Sequence, residues 1–254
     1  MLQRRVRALG RPIATHLWHI DVSGYERLPI DGPAILCPNH ISFLDSAFLM
    51  LTVPRNISFV GKAEYMDSWK TKFLFPAMGM IPIDRSGGER STAALDTAAD
   101  VLHRGELFGI FPEGTRSRSG TLHKGRTGAA RLAMKIGCPI FPVGIVGTDS
   151  IQPPDAKVPK LFASCEIKIG RPIRPERYQN RGGEHIAWRS MIDEVMYEIR
   201  ELTGQTYVNT YAGAAAETEP TVAARVASVT DVAASRFESA DRAEQREYAA
   251  VAGR

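Results

Sequence analysis

An imidazole and a carboxylate stand five residues apart in the segment Pro38-Asn39-His40-Ile41-Ser42-Phe43-Leu44-Asp45-Ser46. On an uninterrupted helix, residues five apart diverge by about 140°. If the chain turns after His40 and a helix begins at Ser42, Asp45 falls in the first helical turn and reaches back to the loop. A carboxylate there accepts a hydrogen bond from imidazole Nδ1, leaves Nε2 free as a base and stabilises the imidazolium that forms. The same residues also suit a plain helix cap, Ser42-Phe43-Leu44-Asp45, with His40 an ordinary loop residue. The chain has no Gly-x-Ser-x-Gly, so a hydrolase built on a nucleophile elbow is disfavoured. A His–Asp pair without a protein nucleophile would deprotonate a substrate hydroxyl, which then attacks an activated acyl or phosphoryl group.

Three further segments suit such a reaction. In Gly79-Met80-Ile81-Pro82-Ile83-Asp84-Arg85 a short strand delivers Arg85 at its C-terminal end, where open α/β sheets bind ligands. Its guanidinium can grip a phosphate with two hydrogen bonds, or pair with Asp84 or Glu89 at the surface. In Phe111-Pro112-Glu113-Gly114-Thr115-Arg116-Ser117 a buried strand runs into a turn. Backbone N–H groups beside Gly114, the Thr115 hydroxyl and Arg116 could line an anion site; Glu113 could orient an arginine or bind an acceptor hydroxyl. The alternative is an ordinary polar turn. In Ile140-Phe141-Pro142-Val143, Pro142 interrupts an apolar strand, as in a core strand with a bulge.

The elements that must position these residues follow from periodicity. Apolar runs predict strands over 34–37, 57–60, 80–83, 107–111, 140–146 and 165–169, with Pro82 marking an edge or end. Helical spacing predicts helices from Ser42, over 91–103, over 127–136 with Gly137 and Pro139 as stops, and over 184–202. Strands alternating with helices predict an α/β fold, a mostly parallel central sheet flanked by helices.

Composition divides the 254 residues into three zones: 1–24, 25–211 and 212–254. In the first, Leu2, Val6, Leu9, Ile13 and Leu17 form one apolar stripe, with Arg4, Arg7 and Arg11 opposite. Such a helix lies in a lipid interface or packs on the core with its arginines in water. The last zone holds 14 alanines in 43 positions and is expected to be a helical or disordered tail with little to bury. Its seven acidic and five basic residues leave 1–211 at +6 of an overall +4. A basic surface suits an anionic partner. Nucleic acid is disfavoured, because the basic residues are spread and no zinc-finger or RNA-binding signature is present. The three cysteines are distant from one another with no Cys-x-x-Cys, which argues against disulfides and a cysteine zinc site and favours a reducing compartment. No signal-peptide core follows the basic N-terminus and no apolar run approaches the roughly 20 residues needed to span a bilayer.

The blocks Asn39-His40-x4-Asp45, Gly79-x-x-Pro82-Ile83-Asp84-Arg85, Phe111-Pro112-Glu113-Gly114-Thr115-Arg116-Ser117 and Phe141-Pro142-Val143 occur in this order. The combination resembles the 1-acylglycerol-3-phosphate acyltransferase family, the PlsC-like glycerolipid acyltransferases, over roughly residues 20–205. The resemblance implies a single acyltransferase domain over 25–211 with His40 as general base and Asp45 orienting it. It implies that Lys62, Arg85, Glu113, Gly114, Thr115 and Arg116 bind the acceptor's glycerol-phosphate head group, and that Pro142 lies on the acyl-donor side. The donor would be acyl-CoA or an acyl carrier protein, the acceptor lysophosphatidic acid, and the product phosphatidic acid. Glycerol-3-phosphate or another lysolipid would fit the same blocks. No cofactor or metal is implied. The stripe of 1–24 becomes a membrane-interface segment facing anionic lipid, on a cytoplasmic protein peripheral to the inner face of the cell membrane.

Overall fold

A computed structural model describes residues 2–62, 76, 79–83, 90–153, 156, 158–179 and 182–212. Arg85 and the tail from 213 on lie outside the described residues. The chain runs α1 (Leu2–Leu17), β1 (His19–Ser23), β2 (Ala34–Pro38), α2 (Leu44–Thr52), β3 (Ile57–Lys62), β4 (Met80–Ile83), α3 (Arg90–His103) and β5 (Leu107–Gly109). It continues with β6 (Leu122–His123), α4 (Gly128–Ile136), β7 (Ile140–Val146), α5 (Thr148–Ile151), β8 (Ser164–Ile169), α6 (Glu184–Thr203) and β9 (Tyr207–Val208).

Seven strands form one sheet in the order β1-β8-β7-β2-β5-β3-β4, and β6 pairs with β9 apart from it. Neighbours are parallel except β7 and β8. The continuous apolar run of β2 is explained by its place, because it is buried over its whole length between β7 and β5. Its side chains alternate between two cores. Ile35 and Cys37 meet Leu102, Leu132 and Val195 from α3, α4 and α6, while Ala34 and Leu36 share the other core with Phe48 and Leu49 of α2. Pro82 lies in β4, the edge strand, where a missing N–H is tolerated.

Parallel pairing places the C-terminal ends of β2, β3, β4, β5 and β7 along one edge of the sheet. β8 runs the other way and β1 follows it, so these two begin at that same edge. β5 is shorter than its apolar run: it ends at Gly109, after which Ile110 N still donates to Leu36 O. β1 was not foreseen. His19, Asp21 and Ser23 are polar, and only Ile20 and Val22 turn inward, so the strand carries little apolar signal. The segment grouped with the N-terminal zone thus belongs to the sheet from residue 19 on.

α1 packs on the domain through Val6 of its apolar stripe and an adjoining face, and leaves the rest of the stripe outward. Ala14 is buried, and Gly10 sits so near Leu51 that a Cβ there would come within 2.9 Å. Arg7, expected in water, donates to the carbonyls of Met50 in the last turn of α2 and of Pro54 and Arg55 beyond it. Gln3 exchanges two hydrogen bonds with the backbone of Ile57. Leu2, Leu9 and Ile13 stay 59%, 72% and 60% exposed. No helix among the described residues is long and apolar enough to cross a membrane.

Candidate active site

His40 follows β2 directly, two residues beyond its last member. Asn39 joins β2 to β7 there: its buried side-chain amide donates to Ile145 O and accepts from Ile145 N, replacing a backbone partner where the ladder stops. The chain then turns before α2 begins. Asp45, in the first turn of α2 and fully buried, reaches back to the loop. Its Oδ2 accepts from His40 Nδ1 at 2.8 Å and from the backbone N–H groups of Ile41 and Ser42, also at 2.8 Å. Its Oδ1 accepts from Thr148 Oγ1 at 2.5 Å. Four donors satisfy the buried carboxylate. With Nδ1 donating to Asp45, Nε2 carries the lone pair, as a general base requires. Asp45 therefore reaches back to the loop N–H groups as a helix cap does and also holds His40 Nδ1.

The imidazole is fixed from its other sides. Its ring stacks on Phe111 with centroids 3.8 Å apart and 20° between planes. His40 N donates to Glu113 Oε1 at 3.1 Å, and His40 O accepts from Ser117 N at 2.8 Å. The 111–117 turn, delivered by β5 beside β2, is thus fastened to the His40 loop at both its backbone groups. His40 lines a cavity of about 550 Å³. Phe59, Met80, Ala94 and Ile110 give it apolar walls, and Arg116, Arg126 and Arg131 give it cations. Arg126 lies over the Tyr211 ring at 5.3 Å and Arg131 over that of Trp188 at 5.1 Å.

Gly114, Thr115 and Arg116 all line this cavity, as expected of an anion-binding turn. Gly114 has φ +79°, and a Cβ there would come within 2.9 Å of Arg126 Nε, so only glycine suits both the turn and the arginine beside it. Lys62 ends β3 opposite Ile83 of β4, at the catalytic edge. Two expected site residues face elsewhere. Glu113 is 1% exposed and turns into the protein, where its two oxygens accept from the backbone N–H groups of His40 and His123. It braces the His40 loop rather than lining the cavity. Pro142 is buried in β7 opposite Cys37, with its carbonyl accepting from Gly170 N. It does not line the cavity either, because it sits in the middle of a strand and the site is built at the strand ends.

Thr148, Arg126 and Arg131 were missed. Gly147-Thr148 repeats the signal used for 111–117, an apolar strand running into a glycine and a hydroxyl. Arg126 stands among Gly125, Thr127 and Gly128, a loop that opens α4; only the three-dimensional cavity connects it with His40.

Burial pushes the Glu113 carboxyl up to about 7, against the two backbone donors that favour its charged form. An unfolded chain gives up this proton near the ordinary value of 4.5, so between about 4.5 and 7 the native state binds more protons and stability falls as pH rises. Glu113→Gln removes the titration. Denaturant melts of the variant and the parent should diverge across this window in the variant's favour, by on the order of 3 kcal/mol from end to end. Parallel stability curves would show that Glu113 ionises at its ordinary pH.

Comparison with known proteins agrees with this geometry. A family model described as Acyltransferase matches residues 19–146, from β1 to the end of β7. The chain is 29% identical over 157 residues to the chloroplastic 1-acyl-sn-glycerol-3-phosphate acyltransferase LPAT1 of Arabidopsis thaliana, covering 61% of this chain and 44% of that protein. It is 30% identical over 131 residues to the 1-acyl-sn-glycerol-3-phosphate acyltransferase of Borreliella burgdorferi, covering 52% of each. The chain therefore spans about half the length of these curated relatives. The crystal structure of the 1-acyl-sn-glycerophosphate acyltransferase PlsC from Thermotoga maritima superposes with a TM-score of 0.64 at 25% identity over 79% of each chain. With an acyltransferase model covering half its length and a His40–Asp45 pair opening on a cationic cavity, the chain belongs to the acyltransferase family.

Proposed function

We propose that this protein transfers a fatty acyl group from acyl-CoA or an acyl carrier protein to the free sn-2 hydroxyl of 1-acyl-glycerol-3-phosphate, giving phosphatidic acid. The observation that carries this reading is the His40–Asp45 pair facing a cavity that holds three arginines. Among the described residues, none of these arginines has a carboxylate partner. The names of the relatives support the acceptor.

His40 Nε2 takes the proton of the acceptor hydroxyl as its oxygen attacks the thioester carbon. The tetrahedral intermediate collapses, the C–S bond breaks, and the leaving thiolate recovers the proton from the imidazolium. Asp45, held by Thr148, stabilises the imidazolium between the two transfers. The thioester is already activated, so no protein nucleophile is needed. Arg116 and the turn at Gly114 and Thr115, with Lys62 and Arg85, anchor the acceptor phosphate; this makes the attack effectively intramolecular. The enzyme works as a peripheral protein on the inner face of the cell membrane, with α1 at the lipid interface.

Release of free thiol tests this directly. Cys37, Cys138 and Cys165 are all buried, and burial pushes each thiol up, Cys138 and Cys165 to about 12, so they are poor reactants for a thiol dye. Palmitoyl-CoA should release thiol only when lysophosphatidic acid is added. Arg116→Ala should raise the KM for that acceptor about tenfold or more while the donor KM changes little. Release without an acceptor would replace the transferase with a thioesterase, and equal effects on both KM values would remove Arg116 from the acceptor site.

A further inference from the structure

A second exposed apolar element lies beside α1. Val158, Leu161 and Phe162 are exposed, Phe162 at 76%, in the segment that precedes β8. Phe162 also has φ +59°, a backbone conformation that a bulky side chain adopts only under constraint. The constraint is visible. Phe162 N donates to Leu17 O at 2.7 Å, Trp18 Nε1 donates to Lys160 O at 2.7 Å, and Lys160 N donates to Ile151 O at 2.8 Å. The segment is therefore pinned between the C-terminal end of α1 and the end of α5. At its other end α5 carries Thr148, the donor to Asp45.

Topology gives this placement its meaning. β1 and β8 run opposite to β2 and β7, so their starts lie at the edge where His40 sits. α1 begins at Ile57, the first residue of β3, and ends beside Phe162 at the catalytic edge. Its exposed stripe of Leu2, Leu9 and Ile13 spans about 17 Å of the helix, and Phe162 lies at the end of that helix, bonded to Leu17. The charges match one kind of partner. Residues 1–17 carry four arginines and no carboxylate, and Lys160 stands within the loop.

We propose that residues 158–162 form a second membrane-inserting element, which together with the α1 stripe seats the catalytic edge on a bilayer containing anionic lipid. The proposal rests on the acceptor being a membrane lipid. Leu161 and Phe162 enter the headgroup–acyl boundary, while Lys160 and the exposed Arg4, Arg5 and Arg11 meet lipid phosphates. The constrained backbone at Phe162 holds the aromatic ring outward in advance.

Phe162→Gly separates this role from a structural one, because glycine adopts the same φ without strain. In the full chain, its denaturation midpoint should hold or rise. Co-sedimentation with vesicles of equal parts phosphatidylcholine and phosphatidylglycerol should weaken about tenfold or more, the expected loss for an inserted aromatic ring. Turnover should fall on lysophosphatidic acid carried in those vesicles and hold within about twofold on a short-chain, water-soluble acceptor. Unchanged co-sedimentation, or a lowered midpoint, would overturn the proposal. Because the three native cysteines are buried, Phe162→Cys can be labelled selectively with an environment-sensitive dye. Its emission should shift to the blue on the same vesicles, and an unshifted spectrum would overturn the insertion. A dye that shifts on a protein inactive toward every lysophosphatidic acid would refute the acceptor assignment and leave the docking surface standing.

Discussion

His40→Ala is expected to lower kcat/KM for acyl transfer by about 10²–10⁴-fold, the usual contribution of a positioned general base. The fold should survive it. His40 is partly open to the cavity, and Asp45, the group left behind, keeps three of its four donors: the N–H groups of Ile41 and Ser42 and the Thr148 hydroxyl. The carboxylate therefore stays satisfied, and the thermal midpoint should move by no more than the equivalent of about 1 kcal/mol. Acceptor-dependent thiol release and a circular-dichroism melt, measured on the same preparation, check both halves. Residual activity within tenfold of the parent would refute His40 as the base. Lost activity with a collapsed melt would make it a structural residue.

The second large effect comes from a glycine at the end of β5, on the wall of the cavity. Gly109 ends β5, and a Cβ there would overlap the ring of Phe59. Phe59 is buried on the wall of the cavity, so it can yield only toward the site. It stacks over Phe111 with centroids 5.8 Å apart, and Phe111 stacks on His40. Gly109→Ala therefore pushes on a column of three rings whose last member is the base. It should cost about 1–3 kcal/mol of stability, as overpacking does, and lower kcat by about tenfold or more, because small displacements of a catalytic group are expensive. Adding Phe59→Leu removes the overlapping ring and should restore most of the stability. Denaturant melts of the single and double variants with matched kcat values would check this. An unperturbed single variant would show that β5 can shift to make room.

The sequence was legible where a residue's partner lies close to it in the chain. Asp45 meets His40 across one turn, so a five-residue spacing and a predicted helix start sufficed. The parallel sheet followed from apolar runs alternating with helical spacing, and the glycine turn at 114–116 from a strand running into it. Glu113 was misplaced because its partners, the N–H groups of His40 and His123, are backbone atoms that no side-chain pattern reveals. Pro142 was assigned to the acyl-donor side by the resemblance alone; its own residues read as a core strand, and β7 carries it between Cys37 and Gly170 within the sheet. Thr148 lies 103 residues from Asp45, and only the order of strands brings them together. β1 was hidden by its polarity, which suits an edge strand and resembles a loop.

The docking of α1 has a consequence for how this protein can vary. Arg7 and Gln3 hold carbonyl and amide groups of Met50, Pro54, Arg55 and Ile57, and every amino acid offers the same carbonyl. The polar fastening of the helix is thus set mostly by the path of the main chain, while the Leu51 side chain fixes the close approach at Gly10. The exposed positions Pro54 and Asn56 can drift in sequence while α1 stays attached, whereas Leu51 and the buried Met50, Val53 and Ile57 are held by packing; the outward stripe can drift independently to suit a bilayer of different composition. The helix behaves as an interchangeable fitting on a socket made largely of backbone.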